Sequence, residues 1–147
     1  MKMLSLTIWS VLLLSSALSY AAEDVFEVRA TSTDSTFYRQ GKVEKDKPGD
    51  EIVYLVDIPK RIITRTAVYN KNLDKSMGGG LQSDNSVYTI VHDHPKDMLV
   101  GGQRVIKAVG KVGGLDGYET IVIGEDFVTT SKSVGDYFTL YYYKRMQ

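Results

Sequence analysis

The sequence predicts an all-β fold, either an antiparallel sandwich or a small barrel, with about eight strands in a single domain. Three observations predict it. After the first 21 residues, no segment repeats apolar side chains at helical spacing over the length of a helix. Several segments instead alternate with the period of two that is typical of strands. Glycine, proline and aspartate separate these segments, as expected of turns.

Residues 1–21 are predicted to be a secretory signal peptide. Lys2 gives a basic start, an apolar run extends from Leu4 to Leu14, and small residues lead up to Ala21. This layout is typical of a cleaved signal, and the run is shorter than the about 20 residues that span a bilayer. We expect cleavage after Ala21 or one residue later, which leaves an extracellular domain over 22–147 without a stable membrane anchor. A retained anchor is the alternative.

Composition excludes several classes of function. The chain contains no cysteine, which excludes disulfides, thiol catalysis and cysteine-based zinc sites. Its 18 basic and 18 acidic side chains balance, and loss of Lys2 with the signal would leave one net negative charge. Because no strong positive field exists, direct binding to nucleic acid is not expected.

The strands are predicted from alternation and from their β-branched and aromatic content. The alternation is clearest over 50–58 and 61–69, and Pro59 marks the bend between them. Glycine-rich stretches at 76–85 and 113–117 are predicted to be loops. The full set of predicted strands is 25–30, 36–45, 50–58, 61–69, 87–93, 103–112, 118–128 and 136–143.

The last predicted strand presents two different faces. One face is expected to lie in the core and contains Phe138, Leu140 and Tyr142. The other contains Thr139 and a partly exposed tyrosine stripe of Tyr137, Tyr141 and Tyr143. Tyrosine is favoured at recognition surfaces because it combines apolar area with a hydroxyl group, so these three residues are the candidate partner-binding site. The alternative is that tyrosine simply suits a strand.

Few residues of the sequence suggest a metal-binding, phosphate-binding or catalytic site. His92 and His94 are two apart and would share one face of a strand, with Asp97 as a third candidate ligand for zinc or copper. Pro95 is expected to end that strand, which favours two solvated histidines instead of a metal site. The glycines from Gly110 to Gly117 resemble a phosphate-binding loop, but a strand and not a helix follows them. No catalytic constellation is found, so we expect neither enzymatic activity nor a cofactor.

A family resemblance adds to this interpretation. The residues that carry it are Gly49-Asp50 before 51–54, the segment Ile90-Val91-His92-Asp93, the glycine turn 113–117 before 121–123, and a closing run of Ser131, Gly135, Phe138, Leu140 and Tyr142. Over residues 41–143 this pattern resembles the insect multiprotein bridging factor 2 family, whose members are also described as salivary secreted peptides. The resemblance implies a secreted protein and supplies no catalytic residues.

The leading functional expectation is a secreted, non-enzymatic β-protein that binds another protein. The family name implies an alternative, a transcriptional coactivator that bridges a nuclear receptor and general transcription factors, although no basic nuclear-import run is present. An eight-stranded barrel can also enclose a small molecule, so an extracellular carrier of a small apolar ligand is a third hypothesis. A metal-dependent enzyme built on His92 and His94 is the fourth.

Overall fold

The computed structural model describes residues 24–69, 80–112 and 116–147, and the predicted signal peptide lies outside them. The nine strands are β1 (Val25–Arg39), β2 (Lys42–Lys45), β3 (Glu51–Asp57), β4 (Ile62–Tyr69), β5 (Leu81–Asp97), β6 (Gln103–Lys111), β7 (Gly117–Ile123), β8 (Phe127–Val134) and β9 (Tyr137–Arg145). A short 3₁₀ turn, Met98–Val100, links β5 to β6. No α-helix occurs within the described ranges, and none of their helical segments is long and apolar enough to cross a membrane.

Eight of the strands close into an antiparallel barrel. From β3 to β9 each strand pairs with the next, and β1 closes the sheet because it pairs with β3 along one edge and with β9 along the other. The ninth strand, β2, pairs with the last residues of β1 as an extra hairpin arm. The prediction of an all-β fold is confirmed, and the β1–β9 pairing selects the barrel over the sandwich.

Alternation along each strand decides which side chains enter the barrel. Over most of its length the interior is a close-packed apolar core, which we call the apolar half. Its fully buried members are Val28, Ala30, Val56, Ile63, Ile90, Ile106, Ala108, Ile121, Ile123 and Val128. Gly110 belongs to this packing because a Cβ atom there would lie 2.6 Å from the Tyr88 ring.

The two ends of the barrel differ. We call the mouth the end at which β1 and β4 finish and β3 and β5 begin. The opposite end carries the turn between β3 and β4, where Pro59 lies as predicted, and the Gly101-Gly102 turn, where both residues have positive φ. The apolar half lies towards this opposite end, and the interior becomes polar towards the mouth.

Several predicted strand boundaries were wrong, and most of the strand residues that were missed lie where the interior is polar. The turn at 40–41 was predicted to be strand, and β5 continues past its predicted end at 93 to Asp97. β1 is continuous where two separate segments were predicted, through the stretch that contains Ser32 and Ser35. The first residues of β5, 81–85, were predicted to be a loop, of which 76–79 lie outside the described residues. Most of β8 was missed, and the predicted strand 118–128 is divided between β7 and β8. Polar inward residues hide the apolar alternation on which the prediction depended.

The faces of β9 are the reverse of those predicted. Phe138 and Tyr142 are 41% and 48% exposed on the outside, whereas Thr139 and Tyr143 are 3% and 7% exposed inside the barrel. Tyr137 and Tyr141, on the same face, are partly buried. The prediction assumed that the more apolar set faces the core, but this part of the interior is polar, and it takes the hydroxyl-bearing side chains instead.

Candidate functional site: the mouth cavity

A cavity of about 280 Å³ opens inside the mouth of the barrel. We call it the mouth cavity. Its walls come from β3, β4, β5, β7, β8 and β9, so the closed sheet fixes their relative positions. The side chains that line it include Arg65, Asp84, Glu119, Lys132, Thr139 and Tyr141.

A charge network centred on Arg65 forms one wall. The Arg65 guanidinium donates from Nη1 to both Glu119 carboxylate oxygens, at 3.0 and 3.2 Å, and from Nε to Asp84 Oδ2 at 3.0 Å. Tyr88 donates its hydroxyl to Glu119 Oε2 at 2.8 Å. The Glu119 and Arg65 side chains are only 9% and 18% exposed. Charges this buried are stable only because each has several partners.

The network shifts the ionisation of its members. Burial is the largest single influence on the pKa of Arg65 and lowers it, but Glu119, Tyr88, Tyr54 and Asp84 together raise it by more, so this guanidinium stays charged. Burial, then Glu119, raise the pKa of Tyr88 well above its ordinary value. Burial and the backbone and side chain of Ser86 oppose each other at Asp84, where the net result is a lowered pKa. Arg65 and Asp84 are therefore ionised and Tyr88 is a neutral donor at neutral pH.

The opposite wall is aromatic. The Tyr141 ring stacks on Tyr143 with centroids 5.7 Å apart and meets the edge of Phe37 at 5.4 Å, while Tyr137 lies 6.4 Å from Phe37. Burial raises the pKa of both Tyr141 and Tyr143, so their hydroxyl groups remain neutral donors. Aromatic faces beside hydroxyl groups can hold a ring-bearing molecule and hydrogen-bond its substituents.

Tyr54 lies beside this cavity with an unsatisfied hydroxyl group. The residue is fully buried, and its oxygen has no hydrogen-bond partner among the described residues. Burial, then the charge of Glu119, raise the pKa of Tyr54 well above its ordinary value. Its ring meets that of Tyr88 edge-on, with centroids 6.3 Å apart. An unpaired buried hydroxyl group destabilises the protein, and such exceptions need an explanation.

The structure brings the three predicted site residues together, but on the inner face. Tyr141 and Tyr143 line the cavity and Tyr137 lies beside them against Phe37, so the three are not the outward stripe on which the prediction of partner binding was based. Whether they contact a partner stays a prediction.

The two histidines share a face, as predicted, with their rings stacked 5.3 Å apart. Pro95 does not end the strand, because β5 continues to Asp97. Asp97 accepts a hydrogen bond from the Leu99 backbone NH, and no group of three candidate metal ligands occurs among the described residues.

Sequence reasoning missed the charge network. None of Arg65, Asp84 and Glu119 was predicted to belong to a site, and Asp84 lay in a predicted loop. Glu119 did leave a signal, because it alternates with Ile121 and Ile123 on the inner face of a strand. A charged residue in register with core positions indicates a buried partner.

No family model matches the chain, and no curated protein or solved structure matches it. The resemblance to the multiprotein bridging factor 2 family therefore stays a prediction.

Proposed function

We propose that this protein is a secreted, non-enzymatic binding protein whose mouth cavity holds one small polar molecule. The observation that supports this most directly is the buried Arg65–Glu119–Asp84 network on the cavity wall. Replacing a buried ion pair by packed apolar side chains is often neutral or stabilising, so the stability of the barrel alone does not account for this network. Retained polar groups around a cavity are typical of a ligand site.

The size and lining of the cavity define the ligand. Its 280 Å³ lies just below the about 300–1,000 Å³ of sites for drug-sized ligands, so a smaller molecule is expected. This proposal differs from the sequence-based hypothesis of a carrier for an apolar ligand in the polarity of the ligand. Charged and hydroxyl-bearing side chains dominate this lining, and an apolar ligand would leave those that are not already paired, such as Lys132 and Thr139, without hydrogen bonds. The ligand we propose is therefore polar.

Blocking the mouth tests the proposal. Gln82 lies at the exposed rim and lines the cavity, whereas its neighbour Ser83 is exposed on the outer face. We expect Gln82→Trp to abolish the binding of small polar probes in ligand-observed NMR, while Ser83→Trp retains it. Equal binding by both variants, with probe-induced shifts in protein-observed spectra confined to residues that do not line the cavity, would show that the cavity is not the site.

Partner binding is a second candidate, and an observation on the outer surface favours it. Tyr38 pairs with Val43 on one side and with Phe138 on the other, and all three are exposed, by 44%, 67% and 41%. Tyr118 continues this row across β8. Contiguous exposed apolar side chains are typical of protein interfaces.

The outer row makes partner binding testable. We expect the double variant Tyr38→Ser with Phe138→Ser to lose a cross-linked partner that the wild-type protein retains in its native secretion. Val91→Ser, at a position also exposed by 53%, serves as the control. Identical cross-linking patterns for all three proteins would count against this candidate.

Localisation has its own test. Full-length protein expressed in insect cells should appear in the medium with its N-terminus at Ala22 or Glu23. Protein that concentrates in nuclei with an intact leader would instead favour the coactivator alternative.

A further inference from the structure

We propose that the ligand of the mouth cavity is a small organic monoanion that carries a ring and one carboxylate group. This rests on the proposed function, because it names the ligand class of the same site. In the arrangement we infer, the carboxylate is held by Lys132 and Thr139 on the inner face of β8 and β9, and the ring lies against Tyr141.

The hydrogen-bond acceptors of the cavity are already in use. Glu119 accepts from Arg65 with both oxygens and from Tyr88 with one of them. Asp84 accepts from Arg65 and from the backbone NH of Ser86. Asp50, at the rim, is likewise engaged. A ligand that mainly donates hydrogen bonds would have to compete with these internal contacts.

Several donors, by contrast, have no partner. The Lys132 ammonium forms no ion pair with any described residue, and the hydroxyl groups of Thr139 and Tyr141 make no hydrogen bond to one. Lys132 and Thr139 are directly opposite each other in the β8–β9 ladder. Side chains opposite each other begin about 4.5–5.5 Å apart at Cβ, a separation that one carboxylate can bridge. An unpaired ammonium beside hydroxyl donors favours an anion.

The total charge of the lining limits that anion. Asp50, Asp84 and Glu119 face Arg65 and Lys132, which leaves one formal negative charge in the empty cavity. Of these five side chains, only Lys132 forms no ion pair with a described residue, so it can neutralise one ligand charge locally. Glu119 lies directly opposite Lys132 in the β7–β8 ladder, so a second ligand charge would face this carboxylate with no further cation to offset it. A monocarboxylate therefore fits better than a phosphate or a dicarboxylate.

The aromatic wall accounts for the ring. Tyr141 lines the cavity, and it is held in place by stacking on Tyr143 and by the edge contact with Phe37. A fixed aromatic face binds a flat or saturated ring with little loss of side-chain entropy.

Five small probe molecules test the charge and the ring of the ligand separately. Benzoate, benzamide and benzylamine share one ring and differ in charge, acetate removes the ring, and inorganic phosphate replaces both. Titrations followed by NMR on the complete secreted protein should show benzoate binding at least about tenfold more tightly than benzamide, the ratio expected of one hydrogen bond to a charged group. Acetate and phosphate should bind more weakly than benzoate.

Variants of Lys132 test whether its ammonium group contacts the carboxylate of the ligand. Lys132→Met should reduce benzoate affinity by at least about tenfold and leave benzamide binding unchanged, and Lys132→Arg should restore most of the loss. Lys144→Met is the matched control, because Lys144 lies on β9 but is exposed on the outer face. Circular dichroism and the melting temperature establish that each variant is folded.

The possible outcomes separate this inference from the function on which it rests. Tighter binding of benzamide or benzylamine than of benzoate would overturn the anion and leave a polar-ligand site. Equal binding of acetate or phosphate would overturn the ring. If none of the five probes bound, the polar-ligand function itself would be overturned.

Discussion

The two halves of the barrel interior are built on the same strands but differ in chemistry. On β7, Ile121 and Ile123 are fully buried in the apolar half, whereas Glu119, two residues earlier on the same face, belongs to the mouth cavity. On β4, Ile63 and Arg65 differ in the same way. The period of two along a strand decides only that these side chains point inward. Whether the inward side chain is apolar or charged differs between the two halves.

This difference separates the part of the interior that stabilises the barrel from the part to which we assign the proposed function. The apolar half is closely packed and contains the largest group of fully buried apolar side chains, so it carries the hydrophobic stabilisation. The mouth contains ion pairs, an unpaired hydroxyl group and a cavity, each of which costs stability or adds little. Such a division is expected where a rigid scaffold supports a ligand site.

The largest effect is expected where the aromatic wall meets the apolar core. Tyr143→Ala should destabilise the protein by about 3–5 kcal/mol, because a buried aromatic side chain leaves a cavity behind. Phe138→Ala, on the exposed face of the same strand, should cost under about 1 kcal/mol. Urea unfolding of both variants measures the difference. A larger loss for Phe138→Ala would reverse the face assignment of β9.

Within the apolar half, Ile121→Ala should cost about 2–5 kcal/mol, since Ile121 is completely buried. Probe binding in the mouth should be unchanged while the variant is folded. Val87→Ala, at a position 55% exposed, should stay within about 0.5 kcal/mol of wild type. A large loss of probe affinity in folded Ile121→Ala would mean that the two halves are not separable.

In the mouth, Glu119→Leu should destabilise the barrel by about 1–3 kcal/mol, because Arg65 keeps only Asp84 and the Ser86 hydroxyl group as partners and Tyr88 loses its acceptor. Adding Arg65→Met should recover much of this loss, as apolar replacements of buried ion pairs often do. Denaturant unfolding of the single and double variants tests it. A double variant less stable than the single one would show that the network is structural.

The smallest change in stability is expected at Tyr54, and it is a gain instead of a loss. Tyr54→Phe removes a buried hydroxyl group that has no partner and keeps the ring contact with Tyr88, so stability should be unchanged or rise by about 1 kcal/mol. Thermal unfolding without ligand measures it. A clear loss of stability would indicate that this hydroxyl group is satisfied in solution, for example by an ordered water.

Sequence-based prediction was more accurate for the strands of the apolar half than for the segments at the mouth. β3 and β4 were placed within one residue at each end, because their inward residues are mostly apolar and alternate cleanly. β8 was missed, since its inward positions include Thr130 and Lys132 between other polar residues. The start of β5, with Gln82 and Asp84 facing inward, was predicted to be a loop. The regions that sequence reasoning missed are largely those that line the mouth cavity.

Sequence alone determined that this chain forms antiparallel strands and where most of the turns between them lie, because these properties depend on local alternation and turn chemistry. Only the tertiary structure decided between sandwich and barrel, since closure depends on the pairing of β1 with β9 across most of the chain. It also decided which face of β9 is inside. Arg65 and Glu119 lie 54 residues apart on β4 and β7, which are not neighbours in the sheet, and only the closed barrel brings their charges within hydrogen-bond distance.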